Sequence, residues 1–282
     1  MKRFLAVLTV FLMIFAFASC GEEKQVSAPS TTVASVHEET TDAAEEVTVP
    51  DTEENTEAVT ENTSDISEET TASSQVIDDP SQWTGEEIVD FYKNAAAKSN
   101  PTAKSSQIMV LNKLIINNGE GALGFFTKIL EPAIRSVIKK NELNFDGITG
   151  GFRNLSVNDT KTVKAYKSGE YTVVEMTLKN QTDGLHANEH EGSVGHAISV
   201  LGDISKVIEQ FPQFDVDLSK ANIAVNYVNA SVKVKINKDG IIEKGTWKYT
   251  CDPDISNVEI SGINVKTADA EIDYIITVGG GF

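Results

Sequence analysis

Cysteine is nearly absent: the 282-residue chain has two, Cys20 and Cys251, so a disulfide framework is excluded. Positive charge is the next shortage. Against 42 acidic residues stand 24 lysines and arginines, a net charge of −18, which leaves no basic footprint for nucleic acid. No aromatic residue lies between Gly21 and Pro80, so that segment has nothing with which to start a core. Long apolar runs are missing beyond the first 20 residues. Even that run, about 14 to 16 residues, falls short of the roughly 20 needed to cross a bilayer as a helix.

Between Gly21 and Pro80 there are instead 17 acidic residues, one lysine and 18 serines or threonines. Such a segment cannot bury enough apolar surface to offset its ordering entropy and reads as a disordered, self-repelling tether over residues 20–80. A coil of roughly 60 residues spans about 40 Å and reaches about 200 Å when stretched. An acidic partner-binding tail, a calcium sponge or a glycosylated stalk are the functional alternatives. The tether carries −16 of the total charge, so residues 81–282 carry only −4. At about 200 residues this remainder is long enough to build a core without disulfides, and it reads as one domain.

Lys2 and Arg3 followed by the apolar run Phe4 to Phe17 and the small pair Ala18-Ser19 form a secretory signal peptide over residues 1–19. Phe17-Ala18-Ser19-Cys20 resembles the lipobox of bacterial lipoproteins. The resemblance implies cleavage before Cys20 and attachment of a diacylglycerol, with palmitate-type chains, to its sulfur. The mature protein would then be extracytoplasmic, tied to the cell membrane at the cell surface by lipid alone. The alternative is an ordinary signal peptide cut near Ala18.

The domain reads as α+β: a curved antiparallel sheet, a meander with bulged long strands, packed against about three helices. Thr84 with Glu87 is a capping box that opens a helix ending before Asn100-Pro101. Gln107 to Asn117 reads as a strand, and Ala122 to Lys140 as a helix with Leu123, Phe126, Ile129, Leu130 and Ile134 on one broad face and Pro132 inside it. Leu155 to Tyr166 and Tyr171 to Lys179 form a hairpin. A glycine-rich loop from Gln181 to Gly195 leads to a helix over Ala197 to Gln210. Strands are expected at Ile241 to Cys251 and at Ile255 to Ile263. Apolar alternation changes phase near 226–229 and again near 266–269, each requiring a bulge or a bend if one face is to stay apolar. This architecture is similar to the bacterial lipoprotein-carrier fold, an open half-barrel with helices on its concave side that holds acyl chains.

Three constellations could carry chemistry. His186-Ala187-Asn188-Glu189-His190 has the H-x-x-E-H spacing of inverzincin metalloproteases, and three of the chain's four histidines fall within 186–196. The surrounding Thr182-Asp183-Gly184 and Gly192-Ser193 are loop residues, whereas a protease needs a helix. His186, Glu189, His190 and His196 therefore remain candidates for a looser zinc site, with a mobile polar loop as the alternative. Gly119-Glu120-Gly121-Ala122-Leu123-Gly124 matches G-x-G-x-x-G, but Glu120 would face the pyrophosphate and no further βαβ units follow; a glycine turn is the alternative. Lys233 and Lys235, joined by Lys244 or Lys248, line one strand face and could attract an anion or simply keep it solvated. Cys251 shares its phase with Trp247 and Tyr249 and reads as a buried thiol.

No Ser-His-Asp set, paired carboxylates or phosphate loop is legible, so no catalytic residue is assigned. The expected function is a non-enzymatic binding module, anchored to the membrane, for an apolar ligand or an envelope protein. A metal-binding protein using the His186/His190 loop and a structural envelope protein are the alternatives. No cofactor other than zinc is expected.

Overall fold

The computed structural model describes residues 79–140, 142–209 and 212–282, without the side chains of Phe126, Leu130, Val137, Lys139, Lys140 and Phe214. The expected signal peptide, Cys20 and the acidic segment fall outside the described residues. In chain order the elements are α1 (Gly85–Ser99), β1 (Lys104–Ile116), α2 (Gly121–Lys140), β2 (Leu143–Asp146), β3 (Thr160–Ser168), β4 (Tyr171–Leu178), β5 (Gln181–Asp183), α3 (Gly192–Ala197), α4 (Ile204–Glu209), β6 (Val216–Asp217), β7 (Asn222–Ile236), β8 (Ile242–Ile260) and β9 (Ile263–Val278).

The nine strands make one open antiparallel sheet in the order β2-β1-β9-β8-β7-β4-β3, with short β5 against β7 and β6 against β8. The expected C-terminal meander is β7-β8-β9, and the expected hairpin is β3-β4. Register places one apolar row across several strands. Met109 faces Tyr274, Tyr274 faces Tyr249, and one strand further on Tyr227 pairs with Cys251. Tyr249 stacks on Tyr274 at 4.8 Å between ring centroids and meets Tyr227 edge-on at 5.6 Å. All three tyrosines are buried, and burial holds their hydroxyls well above the usual pKa.

Helix α1 begins where the capping box predicts. Thr84 Oγ1 accepts from Glu87 N at 3.3 Å, and Glu87 Oε2 accepts from Thr84 N at 2.7 Å. Its apolar side, Ile88, Val89, Tyr92, Ala95 and Ala96, is buried in the core that the sheet supplies. Trp247 Nε1 donates to Tyr92 Oη at 2.8 Å, joining α1 to the middle of β8 inside the core.

The strands keep their apolar face through phase changes. In β7 the register against β8 shifts between Val228 and Ser231, with Asn229 at φ 56°: this is the expected bulge. The second phase change is achieved differently. The β8–β9 register runs unshifted through Ser256↔Thr267 and Val258↔Val265, yet burial changes phase in both strands at that point. Asn257 sits there at φ 58°, so a left-handed residue turns the strand without a slip. The amides of Lys266 and Thr267 donate to Asn117 Oδ1, at 2.8 and 3.3 Å, from the end of β1. A third irregularity, in β1 between Leu111 and Lys113, had no sequence signal; the Arg135 guanidinium of α2 donates to the Leu111 and Asn112 carbonyls beside it.

Three expectations are corrected. The helix expected over Ala197 to Gln210 begins only at Ile204, as α4: Ile198 is extended, Gly202 takes φ 70°, and Asp203 caps the start by accepting from the Ser205 and Lys206 amides, while α3, Gly192–Ala197, falls where a loop was expected. The segment between the two helices buries Ile198, Val200 and Leu201 instead. The strand expected from Leu155 starts only at Thr160, because Ser156 and Asp159 form a second capping box around a 3-10 turn. The two strands expected at Ile241 to Cys251 and Ile255 to Ile263 are one, β8. Pro253 passes through it opposite Val225, where pairing with β9 steps from Cys251↔Ile272 to Asp254↔Asp269.

Tyr92→Phe removes the acceptor of a fully buried indole N–H. It is expected to cost about 1–3 kcal/mol in urea unfolding, and an unchanged midpoint would contradict this coupling of α1 to the sheet.

Candidate functional site

The histidine segment is built on Gln181. Its Oε1 accepts from the Val194 and Gly195 amides at 2.8 and 3.1 Å, and its Nε2 donates to Glu191 O at 2.8 Å. This pins α3 against β5 and leaves residues 184–191 as a loop, so His186 and His190 are not on a helix and lack the inverzincin arrangement.

Each histidine meets a carboxylate of its own. His186 Nδ1 lies 3.4 Å from Asp203 and 3.2 Å from Ser205 Oγ. His190 Nε2 lies 3.1 Å from Glu189 Oε1, and its Nδ1 3.5 Å from Ser199 Oγ. His196 Nδ1 donates to Asp159 Oδ2 at 3.1 Å. The structure therefore brings Glu189 to His190 and gives His186 and His196 separate partners. Among the described residues no group of three or more His, Cys, Asp or Glu is placed to hold a metal ion.

Glu189, His190 and Ser199 have the order of an acid–imidazole–hydroxyl relay. The neighbouring amides are already engaged: Gly150 N donates to Ser199 Oγ at 3.2 Å and Gly151 N to Gly195 O at 2.9 Å. Neither is free to stabilise an oxyanion. In the Asp159 set, Ser193 Oγ donates to the carboxylate, not to the imidazole, so it is not activated as a nucleophile. Burial alone would raise the Asp159 carboxyl. Hydrogen bonds from the Ser156 amide, His196 and the Ser156 hydroxyl outweigh it and hold the group below the usual range.

The other sequence candidates resolve into structural roles. Gly119 and Gly121 take positive φ in the turn from β1 to α2, and a Cβ on Gly124 would strike the Gly119 backbone. The helix then leads into β2, which lies beside β1 and antiparallel to it, so the glycines do not open a βαβ unit. Lys233 pairs with Glu175 at 3.0 Å, and Glu175 with Lys164 at 2.7 Å, in a row across β3, β4 and β7. Hydrogen bonding from Lys164, helped by Tyr166 and Lys233, holds Glu175 down to about 2. Lys235 lies over the rings of Phe282 and Tyr171. Cys251 is fully buried and burial pushes its thiol well above its usual value, as expected of an inert cysteine.

Helix α2 departs most from its expected packing. Leu123, Ile134 and Ile138 are buried, but Ile129, expected on that face, is 56 % exposed, and Phe125 is 60 % exposed. Phe125 and Ile129 lie four residues apart and so on one side of the helix, away from Leu123, Ile134 and Ile138; that spacing was the available signal. No family model, no curated protein and no solved structure matches this chain.

Because the Asp159 pKa is lowered on folding, its contribution to stability is fully present above the unfolded value near 4 and is lost as pH falls through the lower folded value. Asp159→Asn is expected to be less stable at pH 7 and to show a shallower acid limb below about pH 4. Thermal melts from pH 7 to pH 2 measure it; parallel curves for the two proteins would contradict the assignment.

Proposed function

We propose that this chain is an extracytoplasmic lipoprotein, held to the cell membrane by acyl chains on Cys20, whose folded domain is a non-enzymatic binding module for an apolar ligand or an envelope partner. The observation that carries the binding half is the exposed apolar side of α2, with Phe125 and Ile129 more than half exposed on one helix. The alternative position for an apolar ligand, between α1 and the sheet, is occupied by Tyr92 and Trp247, both fully buried and hydrogen-bonded to each other. An acyl chain would have to displace them. The anchor half is supported by the lipobox-like Phe17-Ala18-Ser19-Cys20 and by the acidic segment that follows it.

The test is the full chain expressed in a bacterium, fractionated and weighed intact by mass spectrometry. The expected product begins at Cys20, carries acyl mass and sediments with membranes, while Cys20→Ala is neither acylated nor membrane-bound. A mature chain starting elsewhere without acyl mass would contradict the anchor. Native mass spectra of the same material read the binding module. A co-purifying apolar molecule or envelope protein, lost in Phe125→Asp/Ile129→Asp at unchanged melting temperature, is expected; a bound component unaffected by that double variant would place binding elsewhere.

A further inference from the structure

We infer that the exposed face of α2 rests on the bilayer to which the chain is anchored, so that the domain lies against the membrane in one orientation. The inference rests on the Cys20 anchor proposed above and makes the bilayer, rather than an envelope protein, the apolar partner of the α2 face. Ala122, Phe125, Ile129, Pro132, Ala133 and Ser136 are all exposed and, at about 100° per residue, share one side of the helix. The opposite side, with Leu123, Thr127, Ile134 and Ile138, is buried. Among the described side chains this exposed side has two large apolar residues, small residues around them and no carboxylate, with exposed Lys128 along its edge. That is the composition of a helix lying in an interface, apolar towards the acyl boundary and cationic towards phosphate.

Two further features favour a membrane surface over a dry protein contact. Pro132, exposed at one edge of this side, has no amide to give the Lys128 carbonyl. The usual intrahelical donor to that carbonyl is missing, and the hydrated headgroup region offers donors there. The second is the chain outside the structure. Roughly 60 residues separate Cys20 from Asp79, a length that keeps the domain within reach of the bilayer at high effective concentration. A face too small to recruit a free protein to membranes is sufficient once an acyl anchor supplies the first of two attachments.

Selective labelling is possible because Cys251 is buried and the lipidated Cys20 has no free thiol. An environment-sensitive fluorophore is attached to Ile129→Cys, and separately to Lys238→Cys on the β7–β8 turn, in the full lipidated chain. Vesicles of phosphatidylethanolamine and phosphatidylglycerol are added, flotation reads the anchor, and melting temperature reads folding. The expected result is flotation of both proteins, with blue-shifted, brighter emission at position 129 and none at 238. Flotation without a shift at 129 overturns the inference and leaves the anchor standing. Failure of the chain to float removes the anchor and the inference with it. A shift at 129 that needs no vesicles and grows with protein concentration overturns it in favour of a second copy of this chain.

Discussion

The structure depends on reconciling a side-chain period of two with strands of 15, 19 and 16 residues that must all keep one side apolar. Asparagine in the left-handed region does this. Asn229 makes a bulge in β7, Asn257 turns β8 without a slip, and Asn117, at φ 51°, offers its side chain to the two β9 amides opposite that turn. Asparagine suits these positions because its short polar side chain tolerates positive φ and bonds nearby backbone. Each irregularity would otherwise expose apolar residues or strand backbone donors.

With the phase maintained, the sheet directs its large residues inward. Trp247, Tyr227 and Tyr274 are among the largest fully buried side chains, and α1 closes over them through Tyr92. The other side of the sheet carries the Lys164–Glu175–Lys233 row, a Thr250 hydroxyl that donates to Asp273, and the exposed Ile108 and Ile115 of β1. Exposed Phe282 is covered by the Lys233 and Lys235 ammonium groups. Among the described residues the large apolar side chains more than half exposed are Phe125 and Ile129 on the far side of α2, which the Arg135 guanidinium fastens to the irregular carbonyls of β1.

Much of this was legible. The Thr84 capping box, the β3–β4 hairpin, the C-terminal meander and the β7 bulge follow from local residue patterns and appear as expected. Misreadings arose where a long-range contact or a second cap outcompeted local periodicity. Gly202-Asp203 delayed to Ile204 a helix expected from Ala197, Ser156 with Asp159 delayed β3, and Pro253 looked like a break but is spanned by pairing with β7. Around the histidines, the cluster was visible but its wiring was not, because Asp159, Ser199 and Asp203 come from outside the His186–His190 motif. The exposure of Phe125 and Ile129 was hidden by a helix apolar on more than one side.

The domain is thus organised to keep one side of its open sheet buried and to present one helix, and the proposed membrane-anchored binding role rests on that division. Amide hydrogen exchange of the full lipidated chain on vesicles, compared with Cys20→Ala in buffer, tests it most directly. The account predicts slower exchange confined to Gly121–Lys140, with the amides of β7, β8 and β9 unchanged. Slowing spread through those strands, or absent from α2, would contradict it.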